Sequence, residues 1–95
     1  MTWYYIVGEL SLLLMEMEGV ASDDEEARII HRLRARAERA CRADLPGVAV
    51  EALEFADGMC ERSLLAGDAG RFSKQLEISS ELLVFGLSAG LINEG

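Results

Sequence analysis

The sequence predicts an all-α fold, a small bundle of three to four helices in which helices two and three form an antiparallel hairpin. Three observations carry that prediction. Apolar residues recur at helical spacing through most of the chain. Capping and stop signals (Ser22-Asp23-Asp24-Glu25, Leu45-Pro46-Gly47, Gly67-Asp68-Ala69-Gly70) cut the pattern into segments of helical length. Twelve alanines and a single proline favour helix, and no second strand-like run exists to partner a first.

The first element covers residues 2–18. Thr2 is a suitable N-cap and Gly19 a suitable C′ residue. Leu10, Leu13, Leu14 and Met17 repeat with helical spacing, whereas Trp3-Tyr4-Tyr5-Ile6-Val7 taken alone is strand material. Helix is expected because a lone strand has nothing to pair with.

The second helix is expected over residues 23–44. Ser22 as N-cap and Glu25 at N3 form a capping box, with acids in the first turn and arginines in the later ones, matching both ends of the helix dipole. Ile30, Leu33, Ala37 and Ala40 or Cys41 make a narrow inward stripe. The helix should stop before Leu45-Pro46-Gly47.

The third helix should span 47–66 and end at Gly67. Its inward stripe reads Ala49, Leu53, Ala56, Cys60 and Leu64, broadened by Val50, Phe55 and Met59. A hairpin about Pro46 sets Cys41 opposite residue 51 and residue 32 opposite Cys60. The two cysteines then stay apart and read as small buried hydrophobes. The fourth helix, over 71–92, shows a stripe of Phe72, Leu76, Leu83 and Leu87, with Ile78, Leu82, Phe85 and Ile92 beside it.

Length and hydrophobic content fit one domain over residues 1–95 with an aliphatic core. No basic leader precedes the first apolar run, which Gly8 and Glu9 interrupt, so neither export nor membrane insertion is expected and the location expected is cytoplasmic.

Charge is sorted into blocks. Residues 1–26 carry −7, residues 27–42 carry +5, residues 43–70 carry −5 and residues 71–95 carry −1. Glu51, Glu54, Asp57 and Glu61 fall within an arc of roughly 120° on the third helix, at about 100° per residue. They form an acidic ridge, and Asp23, Asp24, Glu25 and Glu26 form a second acidic patch. Arg28, Arg32, Arg36 and Arg39 share one side of the second helix as a basic face. A net charge of −8 and the lack of interleaved aromatics argue against direct nucleic-acid binding. The arginines are expected instead to pair with Glu38 and with acids of neighbouring helices.

The principal functional expectation is a non-enzymatic protein-binding module. It would inhibit or regulate by occupying a basic surface, as small acidic immunity proteins, antitoxins and phage inhibitors do. The partner expected is another protein with a basic surface, of the kind that handles nucleic acid. No metal, cofactor or catalytic residue is expected. His31, the only histidine, lies ten residues from Cys41 on its helix, and only Cys60 could approach it across the hairpin. Trp3, Tyr4, Tyr5 and the segment Leu82–Leu91 exceed what so short a chain can bury, so a homodimer, or a structural homo-oligomeric subunit, is a further expectation.

A different reading rests on Glu51-Ala-Leu-Glu54 and Glu54-Phe-Ala-Asp57. These ExxE and ExxD spacings resemble those of all-α nucleotide pyrophosphohydrolases of the MazG type. The resemblance implies Mg²⁺ held by carboxylates one helical turn apart. In that family the pairs converge from separate helices, whereas here both share Glu54 on one helix.

Overall fold

The computed structural model describes residues 2–93. Four helices follow one another, α1 (Trp3–Gly19), α2 (Asp24–Arg39), α3 (Leu45–Leu65) and α4 (Ala69–Ser88), with no strand among the described residues. No helix among these residues is long and apolar enough to cross a membrane. The helices run up, down, up and down. The most extensive contacts join α1 to α2 and α3 to α4; the α2–α3 and α1–α4 seams are thinner. One core runs through all four, built on Leu10, Leu14, Met17, Ile30, Met59 and Leu82. Alanines at 37, 49, 52 and 56 line it and let the backbones approach.

α1 forms as its spacing predicts. Thr2 Oγ1 accepts a hydrogen bond from the Tyr5 amide, and Leu10, Leu13, Leu14 and Met17 are the buried residues. Burial of that face decides against the strand propensity of residues 3–7.

α2 differs from expectation at both ends. Its N-cap is Asp23, not Ser22: Asp23 Oδ1 accepts from the Glu26 amide at 2.8 Å. Glu26, rather than Glu25, reaches back, and its Oε1 accepts from the Ser22 amide at 2.7 Å. The motif is shifted by one residue because Glu26 also meets Arg62 of α3 (Nε to Oε2, 2.8 Å), which Glu25 does not.

The helix stops at Arg39, five residues early, where Ala40 turns extended. The amides of Asp44 and Leu45 then both donate to the Cys41 carbonyl. The reversal is completed early so that Leu45, fully buried, can open α3 inside the core. Pro46 therefore sits in the first turn of α3, where its missing N–H has no intrahelical acceptor to lose, and is not the breaker between helices. Cys41 lies exposed in this turn, its thiol donating to Asp44 Oδ2, rather than buried in a helix; Cys60 is buried, and both thiols are free.

α2 and α3 are antiparallel neighbours, as expected, but about one turn out of the predicted register. Arg36 meets Glu51 near one end of the hairpin and Glu26 meets Arg62 near the other. Cys60 consequently lies level with about residue 28. His31 is turned the other way, with its Nδ1 3.6 Å from Glu18 of α1.

α3 and α4 are joined through Gly67, whose φ of +74° suits glycine at C′. The Asp68 amide donates to the Ser63 carbonyl to close the turn. Asp68 then caps α4 by accepting from the Arg71 amide, so α4 begins two residues before expected.

Both helices are rolled relative to their apolar stripes. α3 buries Val48, Ala52 and Ser63 and leaves Val50 and Leu64 exposed. α4 buries Gln75, Ile78, Ser79, Leu82 and Gly86, whereas Leu76 and Leu83 face outward. The cause is a polar layer. Gln75 Nε2 donates to the Val20 carbonyl at 2.8 Å, and the Ser63 hydroxyl donates to Gln75 Oε1 at 2.5 Å. The Ser79 hydroxyl donates to Asp57 Oδ1 at 2.7 Å. No buried side-chain N or O among the described residues lacks a partner. Turning Gln75 and Ser79 inward turns the Leu76–Leu83 line out.

Candidate functional site

The predicted acidic ridge lies along the outer side of α3, and all four of its members are exposed. Its two edges are engaged by the protein itself. Glu51, at the α2 edge, takes the Arg36 guanidinium; hydrogen bonding and the charge of Glu51 raise the pKa of that guanidinium. Asp57, at the α4 edge, accepts from Ser79. Glu54 and Glu61 lie between these edges, two turns apart on the same line. Among the described residues, neither has a hydrogen bond or ion pair. The ExxE and ExxD carboxylates thus diverge around α3, with Glu51 turned to α2 and Asp57 to α4.

The second acidic patch divides in a similar way. Asp23 is the N-cap and Glu26 is buried against Arg62, while Asp24 and Glu25 remain exposed in the first turn of α2. There they complement the helix dipole.

The basic face is exposed along its length, and only Arg36 of its four members is ion-paired within the described residues. Arg39 donates to its own helix at the Ala35 carbonyl, and Arg28 and Arg32 extend into solvent. Of the two arginines off this face, Arg34 pairs with Glu38 at 3.4 Å and Arg42 lies over the Trp3 ring at 5.4 Å. The expected pairing of the arginines is therefore met by Arg34 and Arg36 on α2 and extended by Arg62 from α3.

His31 is exposed beside Glu18 of α1, whereas Cys60 is buried on α3 level with about residue 28, so the two are not brought together. Burial, reinforced by the nearby Asp57 carboxylate, pushes the Cys60 thiol pKa up, away from thiolate chemistry. Among the described residues no three His, Cys, Asp or Glu side chains cluster in a way that could hold a metal ion.

Sequence periodicity assigned the outward residues of α4 to the core. A sequence signal does mark them. The four charged residues of α4 (Arg71, Lys74, Glu77 and Glu81) fall within an arc of about 120° at 100° per residue, leaving more charge-free surface than one core requires. No protein-family model, curated protein or solved structure matches this chain.

Proposed function

We propose that this protein is a non-enzymatic binding module that inhibits or regulates a protein partner by covering a basic surface on it. The outward line of α3, centred on Glu54 and Glu61, is the contact. The observation that carries the reading is the division of charge. Glu26, Glu38, Glu51 and Asp68 are taken up by the protein's own arginines, whereas Glu54 and Glu61 stand exposed with no counter-ion among the described residues. Carboxylates in a row along a helix present charge as a phosphate backbone does, so a surface that handles nucleic acid has the matching chemistry.

The test is capture from host lysate at low and at raised salt, with wild-type protein and with Glu54→Lys/Glu61→Lys. Both substitutions are on exposed side chains and leave the Arg36–Glu51 and Ser79–Asp57 contacts in place. Basic proteins that elute with salt and are lost with the double variant, at unchanged helical circular dichroism, support the reading. An identical captured set on wild type and variant refutes it.

A further inference from the structure

The α1–α4 seam, one of the two thinner seams of the bundle, is open on its outer side. Leu13 of α1 and Phe85 of α4 floor a groove of about 510 Å³ there. Glu9 stands on the α1 wall. Ser80, Glu81, Val84 and Ser88 make the α4 wall, and Val84 is 63% exposed. Helical spacing lengthens both walls. Leu12 and Glu16 share Glu9's side of α1 at i+3 and i+7, and Glu77 precedes Glu81 by one turn of α4. Leu12, Glu16 and Glu77 are all exposed.

The charge along these walls has one sign. Glu9, Glu16, Glu77 and Glu81 supply it, and none of them is ion-paired among the described residues. α1 has no basic residue. Arg71 and Lys74 of α4 line a separate hollow beside Gly19 and Val20, past the end of the groove. An apolar floor between two carboxylate walls repels phosphate, and with it nucleic acid and anionic membrane. It accepts an apolar strip with cations on both flanks.

The walls also decide the occupant's backbone. They are helices whose interior amides and carbonyls are bonded within their own turns, so only side chains such as Ser80 and Ser88 offer free hydrogen-bonding groups. An extended peptide buried here would lose its backbone partners, whereas a helix carries them within itself. Lysine or arginine stems can then lie along Leu12 and Val84 while their heads reach the glutamates. This chain does not supply such a helix. α2, its arginine-rich helix, keeps Ile30, Leu33 and Ala37 in its own core, and no large apolar residue of α2 is exposed.

We infer that the α1–α4 groove is a docking site for a basic amphipathic helix of a partner protein. The partner's apolar residues, at i, i+3 or i+4 and i+7, rest on Leu13, Val84 and Phe85, and its lysines or arginines flank them. This is a second contact, beyond the one proposed for α3. α3 lies across the core from α1, so its line of Glu54 and Glu61 points away from the groove.

The test uses a fluorescein-labelled peptide of about 14 residues, about 20 Å long as a helix, with leucine on one face and lysine on both flanks. A control peptide carries glutamate in place of lysine. Fluorescence anisotropy gives Kd for wild type, Glu16→Lys/Glu81→Lys, Glu54→Lys/Glu61→Lys and Val84→Ser, each checked for unchanged helical circular dichroism. The two double variants change the net charge equally and differ only in place. Wild type is expected to bind the lysine peptide and not the glutamate peptide. Kd rises by at least about tenfold in Glu16→Lys/Glu81→Lys and stays within about twofold in Glu54→Lys/Glu61→Lys. Val84→Ser also weakens binding, and amide NMR shifts on adding peptide centre on Leu13, Ser80, Val84 and Phe85. Failure of wild type to bind the lysine peptide at millimolar concentration overturns the inference, as does equal binding of the two peptides. So do equal losses in the two double variants, an undiminished affinity in Val84→Ser, or amide shifts confined to α3.

Discussion

Replacing Glu26 by alanine removes the only charged side chain that is buried among the described residues, and its cost follows from what the carboxylate holds. Oε1 accepts from the Ser22 amide and Oε2 from Arg62 Nε, both at under 3 Å. A hydrogen bond to a charged group contributes about 1.5–3 kcal/mol. The amide bond is taken near the middle of that range, because the carboxylate is buried. The Arg62 bond is worth less, since Arg62 is half exposed and water screens it; about 0.5–1 kcal/mol is appropriate. The loss is therefore about 2–3 kcal/mol. For a chain of this size each kcal/mol lowers the melting temperature by about 4–8 °C, so the expected fall is about 8–24 °C. Glu26→Gln keeps an oxygen for the Ser22 amide and should cost about half as much. Urea unfolding of Glu26→Ala, Arg62→Ala and the double variant gives the coupling between the two side chains. A loss below about 0.5 kcal/mol for Glu26→Ala, or a coupling indistinguishable from zero, would show that the pair does not hold α2 to α3.

Two further outcomes follow from the packing. A Cβ on Gly86 would overlap Ile92 Cδ1 and stand 2.8 Å from its Cγ1. Gly86→Ala should therefore destabilise by about 1–2 kcal/mol in thermal melts. In an Ile92→Ala background the sign should reverse, as alanine is the better helix former by about 1 kcal/mol; a loss that persists there would place the clash elsewhere. The cysteines should differ in reactivity: Cys41 alkylates in the native protein, Cys60 only on unfolding. Because the folded state holds the Cys60 proton more tightly than the unfolded chain does, its contribution to stability is complete below the ordinary thiol pKa of about 8.5 and declines as pH rises through it. Urea midpoints on either side of that range check this, with Cys60→Ala lacking that component of the decline.

What the sequence could reveal depended on whether the deciding interaction was local. α1 was legible because one continuous apolar face and a local Thr2 cap determine it. The α2 cap was displaced by one residue because Ser22 and Asp23 are both able caps; the choice falls to Arg62, 36 residues from Glu26. The rolls of α3 and α4 were illegible to hydrophobicity, which puts leucine inside and glutamine outside. Gln75 reverses that rule because the Val20 carbonyl, the Ser22 hydroxyl and Ser63 satisfy it within the core. The arc of Glu51, Glu54, Asp57 and Glu61 follows from helical spacing alone, and all four side chains are exposed. Its division into engaged edges and a free centre depends on Arg36 and Ser79, whose positions only the packed bundle supplies.

The uneven packing of the bundle bears on how the chain folds. α1 with α2, and α3 with α4, are sequence neighbours that bring their faces together through short turns, so most contacts close small loops and little entropy is spent on distant ones. Folding on the microsecond-to-millisecond scale of helical bundles is expected. On a ribosome the first hairpin can assemble before the second is made. It then waits with an unanswered carbonyl at Val20 until Gln75 arrives, 55 residues later, and joins the two halves.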